Sequence, residues 1–132
     1  MLNFFLPGLN GLFMSKWNIR HHPTYDRRYK EYSKKHPGIL IALTENLKNL
    51  MEHLENDVPL HQCRFGWLHN EPKGIFAITE KGGHGKNLAP GRMYIYPDTD
   101  NRKMYLLTIG GKNKQSRDIT FCSNIVNKIK EG

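Results

Sequence analysis

Met104-Tyr105-Leu106-Leu107-Thr108-Ile109-Gly110-Gly111-Lys112-Asn113-Lys114-Gln115-Ser116-Arg117-Asp118-Ile119 decides how this chain folds. The run from Lys103 to Ile109 is apolar on both faces of an extended chain, which predicts a strand inside a sheet. Two glycines end it, and Lys112, Lys114 and Arg117 follow at once. From about Asp118 to Lys130 the period becomes helical, with Ile119, Cys122, Ile125, Val126 and Ile129 inward. Ser116 is placed to cap that helix. A tight turn or a solvated loop would account for the glycines and cations. The sharper reading is that an anion binds there.

Upstream, Pro97-Asp98-Thr99-Asp100-Asn101 has the composition of a hairpin turn. Arg92 to Tyr96 is its other strand, with Arg92, Tyr94 and Tyr96 on one face and Met93 and Ile95 on the other. Gly74 to Thr79 reads as a further strand, followed by a glycine-rich loop from Glu80 to Asn87. Val58 to Lys73 carries no clear period, and Trp67 within it is expected to be packed.

Trp17-Asn18-Ile19-Arg20-His21 alternates and predicts a strand. Pro23 suits a helix start, and from Thr24 the tyrosines 25, 29 and 32 recur at helical spacing. Arg27, Arg28, Lys30, Lys34 and Lys35 fill the other side, so the tyrosines are expected to face the core. His36-Pro37-Gly38 breaks that helix. A second helix is expected over about Ile39 to Asn56, with Ile39, Leu43, Leu47, Leu50 and Leu54 as its apolar stripe, lying antiparallel to the first. The order strand, helix, helix, strand, strand, strand, helix predicts an α+β domain: an N-terminal strand and helical hairpin on a small, largely antiparallel sheet, closed by a C-terminal helix.

The chain has 132 residues, enough for one domain, which we assign to residues 14–132. Residues 1–13 form a short apolar extension that leaves open whether Met1 or Met14 is the start. It lacks a basic leader and falls well short of a membrane span, so a cytoplasmic protein is expected. The two cysteines, Cys63 and Cys122, suggest reduced thiols, and the histidines lack metal-ligand spacing, so neither metal nor cofactor is expected. The formal net charge of +8 points to a polyanion, nucleic acid first and an acidic protein next.

The tyrosine-rich basic helix, the helix pair, Gly91-Arg92-Met93-Tyr94-Ile95-Tyr96 and the segment Gly110 to Ile119 together resemble the RelE/ParE superfamily of toxins from type II toxin–antitoxin modules. The resemblance runs from about Trp17 to Lys130 and is nearest the HigB-like branch, the addiction-module killer proteins. It implies a metal-independent ribonuclease that cuts messenger RNA on the ribosome and is neutralised by a cognate antitoxin protein.

In such a reaction the RNA 2′-hydroxyl attacks the adjacent phosphate. A base takes its proton, a cation holds the charge developing on phosphorus, and an acid protonates the leaving oxygen. Arg92 matches the family's strand arginine and would clamp phosphate; Lys112 best matches its catalytic cation. His84, set between glycines, is the candidate base or acid. Lys86, Lys114 and Arg117 would contact RNA, and Tyr94 would stack on a base or pack in the core. Phe76, Ala77 and Ile78 stand where RelE members carry catalytic lysines. Two alternatives therefore stay open: a ParE-like inhibitor of DNA gyrase, and a non-catalytic nucleic-acid-binding or regulatory protein on the same scaffold.

Overall fold

The N-terminal strand does not pair with its sequence neighbours. In the structure, a computed structural model describing residues 16–80 and 91–132, β1 (Asn18–His21) lies parallel to β5 (Lys103–Gly110), from Asn18 beside Lys103 to His21 beside Leu106. The described residues form a five-stranded sheet in the order β1-β5-β4-β3-β2, with β2 (Leu68–Asn70), β3 (Phe76–Ile78) and β4 (Arg92–Asp98). Every pairing other than β1 with β5 is antiparallel. The fold class is α+β, a mixed sheet with three α-helices among the described residues.

Helix α1 (Pro23–Lys35) starts where the sequence places it. His22 Nδ1 accepts from the Thr24 N–H at 3.1 Å, Pro23 supplies the fixed φ of a first position, and Asp26 complements the positive end of the helix dipole. Tyr25 is buried, and Tyr29 and Tyr32 are half-buried against the same core. His36 both ends α1 and begins α2 (Pro37–Glu55). Leu40, Leu43, Leu47, Leu50, Met51 and Leu54 form the buried stripe of α2, each contributing on the order of 2 kcal/mol. Ile39 is half-buried at the start of that stripe, where a Cβ on Gly91 would run into its Cγ2. At the other end Glu55 accepts the Trp17 N–H at 2.8 Å. The helix thus runs back from the start of β4 to the start of β1.

The sheet buries both faces. One packs on α1 and α2 through Met93, Ile95, Met104, Leu106 and Ile109. The other packs on α3 (Gln115–Glu131) through Ile75, Ala77, Tyr94, Leu107, Cys122 and Val126. The pairing slips between Tyr94, opposite Thr108, and Ile95, opposite Leu106, so Leu107 is an extra residue on β5. Ordinary alternation sends Leu106 to one core and Leu107 to the other, while the bulge leaves Leu107 and Thr108 on one side and returns Ile109 to the core of Leu106; burial of both faces is why β5 reads as apolar throughout.

Two details differ from expectation. A strand, β2, lies in the stretch that showed no period, held against β3 from Leu68 opposite Ile78 to Asn70 opposite Phe76. Trp67, just before it, is buried and stacks on Phe65 with ring centroids 4.5 Å apart. Helix α3 begins at Gln115, with Lys114 at its N-cap and no side-chain cap bond there, so Ser116 lies inside the first turn and does not cap it. Cys63 and Cys122 are free and buried, and burial pushes the Cys122 thiol up to about 12. Among the described residues no helix is long and apolar enough to cross a membrane.

Candidate anion site

The site is built where β5 ends and α3 begins. A single 3-10 turn, Lys112–Lys114, links them and carries both lysines into solvent. Arg117 is exposed on the first turn of α3. With Asn113, Ser116, Thr120 and Phe121, Lys114 and Arg117 line a shallow cleft.

Asp118 turns the other way. It is 4% exposed, and its carboxylate fills the space that a Cβ on Gly110 would need. Burial raises its pKa, against the pull of Arg28, Lys114 and Arg117 nearby. Its Oδ2 has no hydrogen-bond partner among the described residues. Gly110 is therefore demanded by the Asp118 carboxylate and not by the approach of a phosphate. Gly111 has φ −94°, open to any residue, and makes no such demand.

Arg92 opens β4 opposite Gly110. It is half-buried, and among the described residues no carboxylate pairs with it. Asp98, one candidate partner, instead accepts from Asn101 Nδ2 at 2.8 Å within the hairpin turn. A half-buried guanidinium without a counter-ion is a ready clamp for an anion. Arg28, which sequence reading left on the outer face of α1, donates from Nη1 to the Ile109 carbonyl at 2.8 Å and so reaches the same end of β5.

Arg92, Lys112, Lys114 and Arg117 thus gather at one end of the sheet. Tyr94 does not join them as a contact for RNA. Its side chain is fully buried among Ala77, Leu107 and Cys122, and its hydroxyl has no partner among the described residues. Burial raises its pKa far above the ordinary tyrosine value. A ring sealed in the core cannot stack on a nucleobase, so that expectation is corrected to packing. His84 and Lys86 lie outside the described residues. Strand β3 carries Phe76, Ala77 and Ile78, with no cation.

A second group, besides Arg28, escaped sequence reading. His69 stands exposed on β2 opposite Ala77, which is opposite Tyr94. Its Nε2 lies 3.1 Å from Thr79 Oγ1. Thr79 continues the ladder through its N–H to the Trp67 carbonyl at 2.9 Å, and the register of β3 with β4 brings it opposite Arg92. Partial desolvation lowers the His69 pKa, Arg92 lowers it further, and Glu71 opposes them. The only signal in the sequence was the short alternation Trp67-Leu68-His69-Asn70. Among the described residues no three His, Cys, Asp or Glu side chains converge as metal ligands.

No protein-family model matches the chain, and no curated protein matches it. A solved structure, the crystal structure of a RelBE2 toxin–antitoxin complex from Mycobacterium tuberculosis, is similar with a TM-score of 0.43 and 19% identity, covering 74% of this chain and 99% of that one.

Proposed function

We propose that this protein is the toxin of a type II toxin–antitoxin module, a metal-independent endoribonuclease that cuts messenger RNA on the ribosome. The observation that carries the reading is Arg92: half-buried, unpaired among the described residues, and opposite Gly110, where β5 ends and Lys112, Lys114 and Arg117 follow. Phosphodiester cleavage by an internal 2′-hydroxyl needs this kind of fixed positive charge where phosphorus gains electron density. The surrounding exposed cations, in a chain of net charge +8, suit a polyanion held by many phosphates. The cognate antitoxin would then be a small protein that covers this basic face with a helix or adds a strand to the sheet.

A second reading has one observation in its favour. Strand β3 lacks any cation, which is more natural in a ParE-like protein that inhibits DNA gyrase by binding and cuts nothing. Purified protein, one messenger RNA, and ribosomes present or absent separate the two, with cuts mapped by primer extension. Discrete cuts that need ribosomes support the nuclease. An intact message together with inhibited gyrase supercoiling supports the second reading.

A further inference from the structure

We infer that His69 is the proton acceptor of the Arg92 site, taking the proton of the RNA 2′-hydroxyl while the Arg92 guanidinium holds the phosphate. The inference rests on the nuclease reading and adds the base it needs.

The sheet places the two side chains together. His69, Ala77, Tyr94 and Thr108 form one row across four strands; Arg92 and Gly110 belong to the next, and carrying the β3–β4 register one residue past Ile78 and Met93 aligns Thr79 with them. Side chains within a row share a face, and the rows are two residues apart along each strand, so His69 and Arg92 rise from the same face. His69 leans across its row to Thr79, the residue opposite Arg92.

The hydrogen bonds fix the ring. Thr79 Oγ1 lies 3.4 Å from the Trp67 carbonyl and 3.1 Å from His69 Nε2, and we take the hydroxyl as donor to the carbonyl and the Nε2–H as donor to the hydroxyl. In that tautomer Nδ1 carries the free lone pair. Thr79 is itself held, since its carbonyl accepts from Asn46 Nδ2 at 2.8 Å and Asn46 is buried on α2. An anchored ring, exposed on one side and near a guanidinium that no carboxylate pairs among the described residues, has the placement a general base requires. The charged groups facing it among the described residues are Arg92 from β4 and Glu71 from the segment after β2. The first disfavours the imidazolium and the second favours it, and with desolvation the neutral ring prevails at pH 7.

The step balances without any further reagent. The O2′–H bond breaks and its proton goes to His69 Nδ1. The O2′–P bond forms as the P–O5′ bond breaks. The leaving 5′-oxygen takes a proton from solvent water, and the resulting hydroxide takes the proton back from the imidazolium. The products are a 2′,3′-cyclic phosphate and a 5′-hydroxyl.

The test is single-turnover cleavage of messenger RNA on programmed ribosomes by the full chain, His69→Ala and His69→Gln. Both variants should lose roughly 100-fold or more in cleavage rate, with ribosome affinity and melting temperature unchanged. The wild-type rate should rise with pH below neutrality and then level, and this rise should vanish in both variants. Added imidazole should restore part of the His69→Ala rate. If alanine lowers the melting temperature, glutamine, which keeps a donor for Thr79, decides the matter. Variants that cut at the wild-type rate with the wild-type pH profile would overturn the role of His69 and leave the nuclease standing. A wild-type chain that cuts nothing would overturn both.

Discussion

The Asp118 carboxylate sits where a side chain at position 110 would be. A Cβ on Gly110 would collide with Oδ2, so the glycine that ends β5 and the aspartate in the first turn of α3 specify each other. This contact sets the distance between the end of the sheet and the helix, and with it where Lys112, Lys114 and Arg117 emerge.

Gly110→Ala should therefore cost about 1–3 kcal/mol through overpacking. Adding Asp118→Ala should recover much of that loss, because the clash needs both side chains. Denaturant unfolding of the two single variants and the double variant measures the coupling. Additive losses would show that the two positions do not meet.

Asp118→Asn should stabilise the protein at pH 7, with the gain shrinking in acid. Burial raises the folded-state pKa of Asp118 above the ordinary 3.8. The folded chain therefore binds this proton more tightly than the unfolded chain does. The resulting stability is fully present below about pH 3.8 and is lost as pH rises through the folded value. The variant removes that loss. Urea unfolding of both proteins at pH 7 and pH 3.5 gives the comparison, and an advantage larger at pH 3.5 would contradict it.

Tyr94→Phe removes a buried hydroxyl that has no partner among the described residues. It should be neutral or stabilise by about 1 kcal/mol, and RNA cleavage should not change. A large loss of activity with an intact fold would return Tyr94 to the site.

Arg92→Lys keeps the charge and loses the two-pronged fork, so cleavage should fall by at least about 10-fold. Its melting temperature should stay near that of the wild type, since no ion pair among the described residues is lost. Lys114→Ala should instead weaken RNA binding gradually, lowering the slope of log affinity against log salt by about 0.7.

Much of the architecture was legible because its signals are local. Tyr25, Tyr29 and Tyr32 at helical spacing gave α1, the leucine stripe gave α2, and alternation from Arg92 to Tyr96 gave β4 with its faces correctly assigned. What was hidden depends on partners distant in sequence. Strand β2 is three residues long and exists because β3 offers it an edge. The parallel pairing of β1 with β5 joins residues more than eighty apart, and the Leu107 bulge shows only in the register of β5 against β4. In the site, Arg92 was visible as a cation in a strand pattern. Arg28 and His69 were not, because one reaches its carbonyl and the other its threonine only after the chain has folded.

The most direct measurement is cleavage of one messenger RNA on ribosomes by the wild-type chain and by Arg92→Ala, mapped by primer extension with both proteins shown to be folded. Discrete ribosome-dependent cuts by the wild type, reduced about 100-fold or more in the variant, are the expected result. An intact message with the wild-type chain, or equal cutting by the two, would contradict the proposal that Arg92 serves a ribonuclease.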